Sequence, residues 1–217
     1  MHSHSAGSKG WIRSLIGVVK LNQNEHLTGE NLFKAVLLSQ LLILIVATIF
    51  SFFLFDSANE FRSLFKWEWT FIWIGLISGV FVALLDIYFM RKLPPAMYDD
   101  GGINVLLFSS INVWKIGVVA AGAALTEEIL FRGVIQTHFG IVIASLVFVL
   151  IHYRYLRKWY LLINMTVLSF FIGGIYEYTE SLWSVIFLHF IIDYILGIYI
   201  YITSKHKEGV HYETRSF

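Results

Sequence analysis

AVLLSQLLILIVATIFSFFLF, residues 35–55, contains no charged side chain. At 1.5 Å per residue, an α-helix of this length crosses the roughly 30 Å hydrocarbon core of a bilayer. The composition of the whole chain agrees with this, because 57% of its residues are hydrophobic and only 14% are charged. A soluble domain carries about 25% charged residues. The sequence therefore predicts a membrane protein.

Further apolar stretches follow the first one, at residues 69–90, 116–137, 159–178 and 182–203. A shorter apolar segment, residues 141–153, has 13 residues, which alone is too few to cross a bilayer. We predict an all-α fold, a polytopic membrane helical bundle with about six principal transmembrane helices. An additional helix in residues 103–114 could lie along the membrane interface.

The pattern divides the chain into an N-terminal tail at 1–34, two spans at 35–102, a helical core at 103–203 and a C-terminal tail at 204–217. Twelve Lys and Arg residues fall in the two tails and in the segments predicted to share their side of the membrane. Only Arg62 and Lys66 fall on the other side. The positive-inside rule therefore predicts a multi-pass cell-membrane protein with both termini cytosolic. A net charge of +1 gives no basic surplus, so we expect no nucleic-acid partner.

Three ionisable residues lie within the predicted span at 116–137, namely Glu127, Glu128 and Arg132. Each costs roughly 2.5 kcal/mol or more at a helix centre, which makes such residues functional candidates. Glu128 and Arg132 are four apart, so they share a helix face and can form an ion pair. Glu127 points about 100° away from them and is the candidate for chemistry. The alternative is that all three only tie helices together.

Two histidines lie in the later apolar segments, each with a notable neighbour one helical turn away. Phe148 precedes His152, and Asp193 follows His189. A neutral imidazole can orient water, relay a proton or donate to an oxyanion. Asp193 could fix the ring of His189, complete a polar cavity or ligate a cation. The chain has no cysteine, which excludes thiolate nucleophiles and cysteine-type zinc sites.

Three motifs occur in the order found in the CPBP family, the CAAX-protease and bacteriocin-processing membrane proteins also called Abi proteins. The motifs that resemble this family are Glu127-Glu128-x-x-x-Arg132, Phe148-x-x-x-His152 and His189-x-x-x-Asp193. The stretch 174–189 is also similar to the one that precedes the last histidine of that family. The resemblance covers about residues 116–203. It implies an intramembrane endopeptidase whose catalytic core is the predicted helical core.

By position, the resemblance implies that Glu127 activates water with help from His152. It also implies that His189 and the residue at 193 stabilise the tetrahedral oxyanion. The supporting positions are Glu128, Arg132 and Phe148. The last motif of the family commonly ends in Asn, whereas this chain has Asp193. Because an ionised carboxylate cannot donate to an oxyanion, Asp193 would act by being protonated, by holding His189 or by binding a metal.

No cofactor is favoured, because the resemblance points to a glutamate as the water activator. Zinc is the alternative, since carboxylates and imidazoles are acceptable ligands for it. Its ligands would be Glu127, His152, His189 and Asp193. The soluble-zincin pattern His-Glu-x-x-His is absent from the sequence.

The resemblance implies a membrane-associated peptide or protein as substrate and the lipid bilayer as surroundings. Related proteins process prenylated C-termini or leader peptides, and some provide self-immunity against peptide toxins. Two alternatives from other classes stay open. One is a non-catalytic membrane scaffold or immunity protein with the same fold. The other is a proton-coupled carrier, which the lack of an internal repeat disfavours.

Overall fold

The computed structural model describes residues 28–156 and 158–213, and this part of the chain contains no β-strand. Its α-helices are α1 Gly29–Leu54, α2 Ala58–Ser63, α3 Trp69–Lys92, α4 Pro95–Tyr98, α5 Ile103–Ser110, α6 Val113–Glu128, α7 Thr137–Ile151, α8 Trp159–Thr179 and α9 Leu182–Glu213. A π-helical segment, Ile129–Gln136, joins α6 to α7, and a 3-10 turn, Tyr153–Tyr155, follows α7. The prediction of an all-α fold is confirmed.

The first and last helices extend beyond the predicted spans. The side chain of Thr28 caps α1 by accepting a hydrogen bond of 3.2 Å from the backbone N–H of Asn31. The helix therefore begins six residues before the predicted first span, while residues 1–27 of the predicted tail lie outside the described residues. At the other end, α9 continues past position 203 to Glu213, and residues 214–217 lie outside the described residues.

Among the residues that the structure describes, five stretches are long and apolar enough to cross a membrane: Gly29–Leu54, Trp69–Lys92, Val113–Ile151, Trp159–Thr179 and Leu182–His206. The third has 39 residues, and its backbone leaves the helical conformation at Gly140, with φ 83° and ψ 166°. The ring centroids of Phe131 and Phe148 lie 4.9 Å apart, whereas a continuous helix would separate these residues by about 25 Å. The chain therefore reverses at Gly140, and this stretch supplies two of the six predicted segments.

Large apolar side chains cover the outward faces of the first two long helices. Phe52 and Phe53 on α1 are 81% and 76% exposed, and Trp73 on α3 is 59% exposed. Apolar surface left in water costs about 25 cal/mol per Å², a cost that disappears when lipid tails surround it. These faces suit the lipid contact of a multi-pass membrane protein.

Helix α9 is the central element of the bundle and packs along α3, α5, α6 and α8. It contacts α3 through backbone atoms of both helices. A Cβ atom added at Gly75 would lie 2.1 Å from the carbonyl oxygen of Ser184, and one at Gly79 would lie 2.6 Å from that of Leu188. Small residues allow membrane helices to approach this closely. The two glycines therefore set the close spacing of α3 and α9.

One end of the bundle, here called the Lys66 end, consists of residues 55–68, the turn at 140 and residues 180–181. Lys66 Nζ lies 2.6 Å from Glu180 Oε2, and this hydrogen bond holds the pKa of Glu180 below its ordinary value. The hydroxyl of Ser181 donates to the carbonyl of Lys66 at 2.6 Å. His138 Nε2 lies 3.1 Å from the carbonyl oxygen of Leu54. Segments that the charge pattern places on one membrane side thus contact each other.

The opposite end, here called the Arg154 end, consists of residues 93–102, 152–156 and 158. Arg154 Nη2 lies 3.0 Å from Asp100 Oδ2. Just beyond the first segment, Asn104 Nδ2 donates to the hydroxyl of Tyr155 at 3.3 Å. These two segments are also predicted to share a side of the membrane, the side with the greater number of basic residues.

Candidate active site

The chain reverses at Gly140, and this reversal determines which residues of the two segments on either side of it lie next to each other. Phe131 and Phe148 lie nine and eight residues from Gly140, and their rings pack edge to face. About one helical turn further from the reversal, Glu127 and His152 lie thirteen and twelve residues away. The fold therefore places the candidate acid of α6 level with the imidazole that follows α7.

The carboxylate of Glu127 is the meeting point of the predicted site. The residue is 7% exposed. Its carboxylate lies within range of electrostatic interaction with His189, His152 and Asp193. These groups come from α6, from α9 and from the end of α7. The structure thus brings the four predicted catalytic residues together, while their roles stay predictions.

Glu128 and Arg132 form an ion pair that is fully buried. Glu128 Oε2 lies 3.3 Å from Arg132 Nε, and both side chains are 0% exposed. Arg132 Nη2 also donates to the carbonyl oxygen of Ser169 at 3.1 Å, and its guanidinium carbon lies 5.4 Å from the centroid of the Phe148 ring. The second oxygen of Glu128 lies 2.7 Å from Nδ1 of His189. The supporting pair is therefore joined directly to a candidate catalytic imidazole.

His189 lies between two carboxylates. Its Nδ1 faces Glu128 at 2.7 Å, and its Nε2 faces Asp193 Oδ2 at 3.5 Å. A ring nitrogen must carry a proton to donate to a carboxylate, so a doubly protonated ring can donate to both neighbours. The side chain of Asp193 is 34% exposed, whereas that of His189 is 8% exposed. Asp193 therefore lies on the accessible side of the imidazole.

His152 is the C-cap residue of α7, and its ring is partly exposed. Its Nδ1 lies 2.8 Å from the carbonyl oxygen of Phe148. Because a carbonyl oxygen can only accept, Nδ1 carries the proton, and Nε2 of the neutral ring remains an acceptor. The ring packs against the rings of Phe148 and Tyr155, with centroids 4.6 Å and 6.1 Å away. These contacts limit rotation of the imidazole.

Gln40, which is not one of the predicted site residues, contacts the candidate acid from α1. Gln40 Nε2 donates to Glu127 Oε1 at 3.3 Å, and the hydroxyl of Thr126 donates to Gln40 Oε1. A signal was present, because Gln40 is the only amide in the apolar run of residues 35–55. Polar side chains inside membrane helices commonly hydrogen-bond across helices.

The alternative zinc ligands are Glu127, His152, His189 and Asp193. Within residues 28–156 and 158–213, no group of three or more His, Asp and Glu side chains is arranged to hold a metal ion. Both ring nitrogens of His189 already face carboxylates. In this arrangement the four residues do not fit a zinc ion.

A cavity of about 380 Å³ lies elsewhere, at the Lys66 end, and its lining includes Lys66, Gln136, Tyr176 and Glu180 but none of the predicted catalytic residues. The candidate site has its exposed atoms on the other side. Helices α7 and α9 both run from the Lys66 end towards the Arg154 end. His152 and Asp193, the partly exposed members of the site, lie further along these helices than the buried contacts. The partly exposed side of the site therefore lies nearer the Arg154 end.

The fold and the site define a multi-pass membrane protein with a buried cluster of acids and imidazoles. The family described as type II CAAX prenyl endopeptidase Rce1-like matches residues 108–195. The chain is also 38% identical over 181 residues to the uncharacterized protein YpbD of Bacillus subtilis (strain 168), a match that covers 82% of this chain and 96% of the relative. No solved structure matches the chain significantly.

The chain belongs to the CPBP family of CAAX-type intramembrane proteases. The resemblance drawn from the three motifs is thereby confirmed, and the family implies a membrane-associated peptide or protein as substrate. The matched residues 108–195 include all the predicted site residues but not α1.

Proposed function

We propose that this protein is an intramembrane endopeptidase that hydrolyses peptide bonds of membrane-associated peptides or proteins with water activated by Glu127 and His152. The observation that carries the proposal is that two imidazoles lie within range of electrostatic interaction with the buried carboxylate of Glu127. Ionisable groups in a membrane interior are costly, and this cluster gathers them from three separate elements. In peptide-bond hydrolysis, each of these ionisable groups has a chemical role.

The first step is the attack of water on the carbonyl carbon of the scissile peptide bond. His152 Nε2, left as an acceptor by the bond from Nδ1 to Phe148, orients the water. Glu127 takes a proton from the water as general base and later delivers it to the nitrogen of the leaving amine. The C–N bond breaks as this nitrogen is protonated, and the new carboxylate forms on the other fragment.

The negative charge that develops on the carbonyl oxygen is stabilised by His189. Its Nδ1 donates to Glu128, so a second proton at Nε2 is needed for donation to the oxyanion. The charge of this imidazolium is balanced by the two carboxylates that flank it. A donor of this kind is worth about 10²- to 10³-fold in rate.

Asp193 has a different role from the asparagine that commonly ends the last motif of the family. Its carboxylate faces Nε2 of His189 at 3.5 Å, where it can hold the proton on that nitrogen. It supports the donor and does not donate itself. Glu128 and Arg132 hold the opposite edge of the ring. This scheme needs no metal ion, in keeping with a donor set that does not fit zinc.

The proposed orientation places both termini and the mouth of the site in the cytosol. The partly exposed side of the site lies nearer the Arg154 end, which contains Arg154 and Lys158, and Arg91 and Lys92 precede this end at the close of α3. The positive-inside rule assigns such an end to the cytosol. A membrane-associated substrate would then reach Glu127 from the cytosolic leaflet.

The test is cleavage of a prenylated, membrane-tethered peptide by purified protein, followed by mass spectrometry of the products. Glu127→Gln should abolish product formation while the protein stays folded and binds the peptide. Glu68→Gln is the matched control, because Glu68 is exposed and its side chain makes no capping hydrogen bond. Wild-type activity in Glu127→Gln would overturn the assignment of the base.

The same assay separates the alternatives. A scaffold would bind the peptide without forming product, and a carrier would instead move protons into liposomes. Membranes from cells with the intact protein and with Glu127→Ala should differ in peptides that are cut only in the former. Those peptides would identify the natural substrate.

A further inference from the structure

Gln40 lies in the interior of the bundle, with 9% of its surface exposed, and it contacts the candidate general base directly. Its Nε2 lies 3.3 Å from Glu127 Oε1. Helix α1, which carries Gln40, packs against α6 and the π-helical segment. It lies outside the residues that match the family.

The amide of Gln40 lies between two partners, the carboxylate of Glu127 and the hydroxyl of Thr126. A carboxylate can only accept hydrogen bonds, so the NH₂ group of Gln40 must face Glu127. The reversed amide would place two oxygen acceptors against each other. Gln40 Oε1 then faces the hydroxyl of Thr126, which also lies 3.0 Å from the carbonyl oxygen of Gly122. Thr126 therefore supports the amide orientation that Glu127 requires.

The contact makes the two oxygens of the Glu127 carboxylate different from each other. Oε1 accepts from Gln40, while no described residue donates a hydrogen bond to Oε2. Glu127 Oε2 is not one of the fully buried polar atoms that lack a partner, so this oxygen is not completely enclosed. It is therefore the oxygen left for the attacking water.

We propose that Gln40, supported by Thr126, is a positioning residue that fixes the rotation of the Glu127 carboxylate so that Oε2 meets the water. This inference rests on the proposed function. A displacement of a catalytic group by about 1 Å can cost up to about 10²-fold in rate. A carboxylate free to rotate in the site would lose part of that alignment.

The first test replaces Gln40 by Met, which has a similar shape but no amide to donate. Gln40→Met should lower kcat by about 10- to 10²-fold and leave KM unchanged, because the substrate contacts are intact. Ser39→Ala is the matched control on the same helix, since the Ser39 hydroxyl bonds only the carbonyl of Val36. A wild-type kcat in Gln40→Met would overturn the proposal.

The second test uses Thr126, which should act only through Gln40. Thr126→Ser keeps the hydroxyl and should keep the wild-type kcat, whereas Thr126→Val should lower it. The double variant Gln40→Met/Thr126→Val should be no slower than Gln40→Met alone. Thr126 acts through the Gln40 amide, and that amide is already missing in Gln40→Met. Fully additive losses would contradict the chain of contacts.

An infrared measurement separates failure of this inference from failure of the proposed function. The difference spectrum between the intact protein and Glu127→Gln isolates the band of the Glu127 carboxyl group. Gln40→Met should shift this band, and Ser39→Ala should not. A shift in a protein that cleaves no peptide would support the contact but reject the protease, and cleavage with no shift would reject the positioning role.

Discussion

Gly140 gives the sharpest prediction about stability, because its backbone conformation is open to almost no other residue. Its φ of 83° and ψ of 166° lie in a region that is essentially restricted to glycine, and residues forced there cost about 1–3 kcal/mol. A Cβ atom added at Gly140 would meet nothing within 4 Å. The cost of Gly140→Ala therefore comes from the backbone alone.

The matched control is Gly174→Ala in α8. A Cβ atom at Gly174 also meets nothing within 4 Å, but this residue is helical, and alanine in a helix is favoured over glycine by about 0.5–1 kcal/mol. The two variants should therefore change stability in opposite directions. The difference in unfolding free energy between them should be about 1.5–4 kcal/mol.

The assay is reversible unfolding in detergent micelles, followed by tryptophan fluorescence. Cleavage should fall in Gly140→Ala as well, because the reversal sets the height of His152 against Glu127. If Gly140→Ala were as stable as Gly174→Ala, the chain would not turn at this glycine, and the account of the two antiparallel arms would be wrong.

Three further outcomes are expected. Gly75→Ala should destabilise the protein by about 1–3 kcal/mol or more in the same unfolding assay, because its Cβ would collide with the carbonyl of Ser184; unchanged stability would rule out the close contact of α3 and α9. Arg132→Met should cost about 3–5 kcal/mol by leaving buried Glu128 without its cation, and a loss below about 1 kcal/mol would argue against this role. Chelators should leave peptide cleavage intact, whereas activity lost to a chelator and restored by zinc would contradict the metal-free mechanism.

The membrane spans were predictable because hydropathy and length report directly on the surrounding solvent. The segments on either side of Gly140 were also separable in the sequence, since the second is too short to cross alone. The helix ends were less predictable. Thr28 begins α1, and α9 runs on to Glu213, because capping and continued helical bonding do not follow the hydrophobic edge.

The candidate site was partly predictable from local spacing. The Glu128–Arg132 ion pair follows from positions four apart on one helix face. The bond from Glu128 to His189 joins residues 61 apart in the chain, and no helical periodicity links them. Gln40 was missed because a search for charged groups passes over an amide. The amino-acid composition of the π-helical segment that contains Arg132 does not distinguish this segment from the α-helix before it.

The glycine-mediated contact of α3 with α9 limits how this protein can open for a peptide. Two helices whose main chains touch leave no space for one to slide or roll against the other. Because α9 carries His189 and Asp193, we expect this side of the candidate site to move little. We therefore expect a substrate to enter by movement on the other side of the site, where His152 follows the end of a short helix and a brief 3-10 turn leads towards the next span.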